Sequence, residues 1–450
     1  MNVYLENNFA PVADEVTALD LPVIGELPKD LNGRYLRNGP NPIAEGSPES
    51  YHWFLGDGMV HGIALGEGKA KWYRNRYVGS DSVAAKLRRP ITGPNFNDSP
   101  SGANTNVGGF AGTTWAMVEA GGAPVQLTYE LETIARNDFF GTLPGPFSAH
   151  PKVDPATGEM HAVGYAWGKW FGHTQYVVVG TDGRVKHTVD IPMGMSMVHD
   201  MSLTAKYAVI YDLPVTVDID LAMSGTRFPL RWNPEYGARV GLLPRNGSAA
   251  DIIWIEVPLC YAFHPMNAYD RADGCVVIDI CTYDRIFDTD RLGPFGDSLP
   301  RLERWELYPT QRRSSVTVVD ASAQEFPRHA HKVGGQEYRF GYAGQITPGS
   351  YGATLKHDMV TGERWSYDYG KGFGAGEAVF VAREGASAED DGYLLAFKHA
   401  HDCSSASFVV LDAQDIARGP IAEVPLPQRV PYGFHGNWVS DRSVPPTPGN

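Results

Sequence analysis

The chain has 450 residues, 43% hydrophobic and 20% charged, which is enough apolar side chain for a large core and an ordinary globular composition. Its formal charge of −14 excludes a general nucleic-acid binder, because phosphate recognition needs clustered Lys and Arg. A small neutral substrate is compatible with that charge.

In chain order, the opening "MNVYLENNFAPVADEV" has neither a basic start nor an apolar h-region, so no secretory signal is expected. No window of 18 residues is apolar enough to span a bilayer. "LRNGPNP" (36–42) and "YHWFLGDGMVHGIAL" (51–65) predict a strand, a Pro/Gly turn and a second strand. There the NG and GDG pieces supply tight turns, and His61 is a plain strand residue. "GSDSVAAKL" (79–87) is the best helical candidate, and "PVTVDIDLAMSG" (214–225) reads as helix or strand.

Strands are predicted at "TQYVVVG" (174–180), "KYAVIYDL" (206–213), "GCVVIDICTY" (274–283), "SSVTVVD" (314–320), "GYLLAFKHA" (392–400) and "ASFVVLDA" (406–413). All are rich in β-branched and aromatic residues. "DPATGEM" (154–160), "GTDGRV" (180–185) and "HDMVTGERW" (357–365) read as hairpin loops. Cys260, Cys275, Cys281 and Cys403 form no CxxC pair, which suits reduced thiols in a cytoplasmic protein. Short strands, frequent turns and no βαβ rhythm predict an all-β fold over 1–450 as one domain. A β-propeller is the economical architecture, because radial repetition avoids long exposed edges. The repeat is too weak to give a blade count.

Four of the fourteen histidines share a setting: His150 in "PFSAHPKVD", His199 in "SMVHDMS", His264 in "CYAFHPMNAYD" and His435 in "PYGFHGNWV". Each follows an apolar or aromatic step and meets a Pro, Asp or Gly that turns the chain. In a propeller the inner strands converge on one axis, so these rings can meet and hold Fe(II), Zn(II) or Cu(II). The bland alternative for each is a satisfied core histidine. "RHAHK" (His329, His331) and "KHAHD" (His399, His401) are rival chelating pairs, since i and i+2 share a strand face. Their plainer reading is a polar, solvent-facing strand edge. Metal-bound histidines usually give their second ring nitrogen to a carboxylate, and Glu119, Glu325 and Glu377 sit in apolar strand contexts suited to that task.

Taken together, "LNGRYLRNGPNP", "GDGMVHG", "YRNRYV", "NTNV", "SAHP", "MVHD", "FHP", "EFPR", "GEAVFV" and "FHGNWV" resemble the carotenoid cleavage oxygenases along most of the chain. That family includes apocarotenoid oxygenases, stilbene-cleaving dioxygenases and the related retinoid isomerase. The resemblance implies a seven-bladed β-propeller with one non-haem Fe(2+) on its axis under a cap of loops, and O2 as co-substrate. It makes His150, His199, His264 and His435 the metal ligands. Glu119 then orients His199, Glu325 orients His264, Glu377 orients His435, and His150 has no carboxylate partner. Thr105 matches a position near the iron in some relatives.

The implied reaction splits an alkene C=C into two carbonyl fragments. In the stilbene-cleaving branch a lysine precedes the first of these glutamates and activates a phenol; here Val118 stands there, and no tyrosine counterpart is evident in "GSDSVAAKLRRP". A carotenoid or apocarotenoid is therefore the expected substrate, with a stilbene or phenylpropenoid as the alternative. A polyene isomerase and a non-catalytic metal-holding propeller are the readings from other classes. The resemblance also implies weak peripheral membrane contact, for which Leu221, Met223, Phe228 and Leu230 in "VDIDLAMSGTRFPLRW" (217–232) are candidates, against plain loop packing.

Overall fold

Frequent turn residues cut the chain into short strands, and antiparallel pairing of neighbours in sequence gathers these strands into blades. The computed structural model describes residues 2–44, 47–96, 102–165 and 172–441. Six of the predicted strands are present, as His173–Val179, Tyr207–Asp212, Val276–Tyr283, Arg313–Asp320, Gly392–Ala400 and Ala406–Asp412. The three predicted hairpin loops each join two paired strands.

Seven sheets of four or more strands make seven blades. Their innermost strands are Gly436–Ser440 in the first blade, Asn106–Phe110 in the second, Lys152–Val153 in the third and Met201–Leu203 in the fourth. Tyr261–Asp270, Gln324–His329 and Phe373–Ala375 take that place in the fifth, sixth and seventh. The ring closes non-locally: Gly436–Ser440 pairs antiparallel with Gly33–Pro40, and Ile24–Gly25 adds to Pro420–Pro425 in the seventh blade. Blade number depends on this closure, which no local pattern announces.

The first strand pair corrects one expectation. Asn38 and Gly39 lie inside strand Gly33–Pro40, which pairs with Gly58–Gly66 across a long connection instead of a tight NG turn. Asn38 Nδ2 donates to the carbonyls of Ala103 (2.9 Å) and Asn106 (3.1 Å). A Cβ on Gly39 would stand 2.7 Å from Gly433 Cα, so the glycine serves close backbone approach. The helical candidate at 79–87 is Asp81–Leu87, whose N-cap Ser80 Oγ accepts from the Val83 amide. The ambiguous 214–225 stretch divides into strand Val215–Val217 and short helix Ile219–Met223, capped by Asp218.

Apolar cores lie between blades, the largest joining the third, fourth and fifth around Tyr176, Val240, Ile278 and Trp305. Ile278 is wholly buried. Ile278→Ala is expected to cost about 2–5 kcal/mol, the usual range for such a cavity, read as a lower urea midpoint with unchanged denaturant slope. The four cysteines are unpaired, and burial pushes the Cys260 and Cys281 thiols upward. Among the described residues, no helix is long and apolar enough to cross a membrane.

Candidate metal centre

Two β-bulges aim the side chains of the centre. Strand Tyr261–Asp270 shifts register against Val276–Tyr283 between Ala262 and Pro265, and His264 sits in that irregularity. Strand Gln324–His329 shifts against Phe340–Thr347 between Glu325 and Arg328. Prolines are tolerated at such bulges, where the ladder already lacks a donor, and bulges re-aim side chains. The "FHP" and "EFPR" motifs are therefore bulge sequences. Phe326 adopts φ +55°, a strained conformation for a bulky residue and one that clusters at functional sites. It stacks on His264 (5.6 Å) and meets His435 edge-on (5.5 Å).

His150, His199 and His435 lie just before the innermost strands of the third, fourth and first blades, and His264 lies within that of the fifth. The second, sixth and seventh blades supply Glu119, Glu325 and Glu377, so every blade contributes one residue. All four imidazoles are buried. Ring centroids lie 4.2 Å apart for His150–His199, 4.7 Å for His150–His435, 5.0 Å for His199–His264 and 4.6 Å for His264–His435.

Each implied carboxylate faces its histidine. Glu325 Oε2 lies 2.6 Å from His264 Nδ1, and Glu377 Oε1 lies 2.9 Å from His435 Nδ1. Glu119 Oε1 stands 3.0 Å from His199 Nδ1 but outside hydrogen-bond alignment. Its other oxygen accepts from the Tyr165 hydroxyl (3.1 Å). Donation of Nδ1–H to a carboxylate leaves the lone pair on Nε2. The Nε2 atoms of His199 and His264 then face each other at 3.1 Å, and His150 Nε2 is buried without a protein partner. Lone pairs so placed suit a shared cation. The ligand atoms of His150, His264 and His435 lie within 4.8 Å of one another, as do those of Glu119, His150 and His199.

Burial, reinforced by the neighbouring rings, holds His150 and His264 well below the usual imidazole range, favouring the neutral form that binds metals. The buried carboxylates differ. Burial alone raises Glu377, but Arg328 and His435 hold it down at about 2. Glu325 lacks such a cation, and burial pushes it well above the carboxylate range.

A cavity of about 980 Å³ touches the innermost strands of the first six blades and strand Val379–Ala382 of the seventh, so it follows the propeller axis. His150, His264 and His435 line it together with polar groups such as Lys152, Asp200 and Arg328. An aromatic cluster packs against the rings, where the sequence reading placed none of its members: Phe263 lies edge-on to His199 (4.7 Å), and Phe54 contacts Phe228, Phe263, Phe287 and Phe434. These phenylalanines are scattered among four connections and one strand, so no spacing marks them.

A family model described as retinal pigment epithelial membrane protein matches residues 9–440. The chain belongs to this family, the carotenoid cleavage oxygenases. It is 44% identical to the carotenoid cleavage oxygenase of Mycobacterium tuberculosis over 97% of each chain. It is 33% identical to carotenoid 9,10(9',10')-cleavage dioxygenase 1 of Arabidopsis thaliana, over 98% of this chain and 90% of the other. The crystal structure of Pseudomonas brassicacearum lignostilbene dioxygenase superimposes with a TM-score of 0.89 at 27% identity, over 98% of this chain and 99% of that one. This family member is accordingly an oxidoreductase of the oxygenase type, built on the seven-bladed propeller.

The remaining sequence candidates fall as follows. Thr105 is buried; its Oγ1 donates to Asn104 (2.8 Å) and its carbonyl accepts from the His435 amide (3.0 Å). Neither HxH pair forms a chelate among the described residues, because His329 ends its strand while His331 begins a 3-10 turn, and His401 lies past strand Gly392–Ala400. The solvent-facing reading of His399 is wrong: it is wholly buried, within hydrogen-bond reach of Asn8 and the Val430 carbonyl. His61 is a buried strand residue, its Nδ1 2.9 Å from the Tyr73 hydroxyl. Val118 packs in the core between the first and second blades. In the candidate apolar patch, Phe228 and Leu230 are buried, Leu221 is half-buried and Met223 is exposed.

Proposed function

We propose that this chain is a non-haem Fe(II) dioxygenase that cleaves one C=C bond of a carotenoid or apocarotenoid into two carbonyl products. The observation that carries this reading is the convergence of four buried imidazoles, with His150 Nε2 left unpartnered and the Nε2 atoms of His199 and His264 facing each other. His150, His199, His264 and His435 would hold one Fe(2+) per chain, a donor set that suits this borderline metal and needs no thiolate. Bound there, Fe(II) would supply the one-electron chemistry that makes O2 reactive toward an alkene.

The protein's own contribution is placement. Glu325 and Glu377 fix the orientation and tautomer of His264 and His435, and Glu119 stands beside His199 Nδ1 without that alignment. Phe54, Phe263 and Phe287 offer an apolar wall that excludes water and accommodates a polyene. Thr105, one hydrogen bond from the His435 backbone, would border the open coordination position. One alkene and one O2 balance two carbonyls, so no reductant is required.

The Fe(II)-loaded protein should be incubated with apocarotenoids and hydroxystilbenes under ¹⁸O2 and analysed by mass spectrometry. Two labelled carbonyl fragments from a polyene are expected. An unshortened product supports an isomerase, and a bound but inert metal supports a non-catalytic propeller. Cleavage of a stilbene is the second reading, favoured by the fold likeness to the lignostilbene dioxygenase; the apolar, core-facing Val118 offers no base for a phenol there.

The carboxylates should differ in weight. Glu377→Gln is expected to weaken metal binding by about 10–100-fold, as loss of such partners commonly does. Glu119→Gln should have the smaller effect, because its side chain is 12% exposed and misaligned, so water can replace it. Chelator competition measures both. The reading extends to a weak peripheral membrane contact through Ile219 and Met223, exposed on one short helix. Ile219→Ser with Met223→Ser should reduce co-sedimentation with lipid vesicles.

A further inference from the structure

Three of the four imidazoles face a carboxylate, and His150 does not. Its amide donates to Ser148 Oγ (3.0 Å), which sets the backbone but not the separation from the other rings. A second restraint comes from residues in the "NTNV", "EFPR" and "FHGNWV" motifs to which the metal reading gives no task. Arg328 Nη1 donates to Glu377 Oε1 (3.2 Å), the same oxygen that faces His435. Its other arm, Nη2, donates to Asn437 Oδ1 (2.9 Å). Asn437 Nδ2 donates to Asn106 Oδ1 (2.9 Å) and to the Val107 carbonyl (2.8 Å). Asn106 Nδ2 then donates to the carbonyl of Ala149 (2.7 Å), the residue before His150.

The polarity of this chain is fixed. Asn437 Oδ1 must accept from a guanidinium, and Asn106 Oδ1 accepts from both Asn437 and the Val107 amide (2.8 Å). Reversing either amide would set NH2 against a donor. The belt passes through the sixth, seventh, first, second and third blades, via Arg328, Glu377, Asn437, Asn106 and Ala149. It therefore spans the non-local closure of the ring, where blade-to-blade spacing has the least help from sequence continuity. Buried amide networks that are fully satisfied are stiff.

We propose that Arg328, Asn437 and Asn106 are positioning residues that set the separation of His150 from the Glu377–His435 pair, doing for His150 what a carboxylate does for each of the other three. This rests on the metal reading above. Asn437→Asp preserves volume and the acceptor but cannot donate to Asn106, and Arg328→Gln removes the charge and one arm. Both should bind Co(II) about 10–100-fold more weakly than the parent in chelator competition, the loss typical of supporting partners, with a shifted visible Co(II) spectrum. Arg328→Lys, at a partly exposed position that should fold, reaches only one of the two partners and is expected to fall between Arg328→Gln and the parent.

Thr354→Val, which removes a wholly buried hydrogen bond to Tyr369 elsewhere in the sixth blade, is the control: it should lower the melting temperature with no change in Co(II) affinity or spectrum. Parent-like affinity and spectrum in Arg328→Gln, Arg328→Lys and any folded Asn437→Asp would overturn the positioning role while leaving the metal reading intact. A parent that binds no Co(II) or Fe(II) would overturn both.

Discussion

His264→Ala is expected to abolish turnover and to lower metal affinity by well over about 100-fold, since loss of an outer partner alone commonly costs about 10–100-fold. His264 lies close to all three other rings: 5.0 Å from His199, 4.6 Å from His435 and 5.2 Å from His150. The fold should survive. The ring occupies the head of the axial channel and not an interblade core, so its removal enlarges a polar space that water can fill. Glu325 keeps the Phe326 amide as a donor. Strand Tyr261–Asp270 keeps its ladder to Val276–Tyr283. Metal content by elemental analysis, product yield and the melting temperature of the metal-free protein check this together. Lost turnover with parent-like metal content would place His264 outside the ligand set. Collapse of the whole chain would give the site a structural role.

Much of this site was legible because each histidine and glutamate sits where the chain must turn or bulge, and turn residues leave a mark in sequence. "FHP" and "EFPR" carry prolines at the two register shifts, and "FHG" carries the glycine that opens the closing strand. The same letters misled where their physical use differed. Asn38-Gly39 has the composition of a hairpin turn, yet the asparagine spends its amide on Ala103 and Asn106 while the glycine admits Gly433. "KHAHD" looks polar and exposed, but partners more than 30 residues away, at Asn8 and Val430, bury His399. Blade number was illegible from the residues for a related reason, since closure joins residues 33–40 to 436–440. The amide belt from Arg328 to Ala149 left no spacing signature either: it is assembled from single residues of distant strands, each individually consistent with a solvated polar position.

Removal of the metal by a chelator is expected to eliminate activity and leave the propeller standing. The ring is closed by five paired residues between Gly33–Arg37 and Gly436–Ser440, and its cores lie between blades, so the protein's cohesion does not pass through the axis. Burial holds His150 and His264 well below the usual imidazole range, so these two rings favour the neutral form and do not repel each other when the site is emptied. The ion nevertheless binds only the native arrangement. Its stabilisation follows mass action, about 2.7 kcal/mol at a free concentration 100 times the dissociation constant. The far-ultraviolet spectrum should therefore be unchanged on chelation, while the melting temperature falls by an amount that depends on the free metal concentration held before chelation. Anaerobic return of Fe(II) should restore both stability and turnover. Zn(II), which has no redox chemistry, should restore stability alone, and that split separates the ion's role in chemistry from its role in holding the rings. Activity that persists after exhaustive chelation, with metal absent by elemental analysis, would end the dioxygenase reading.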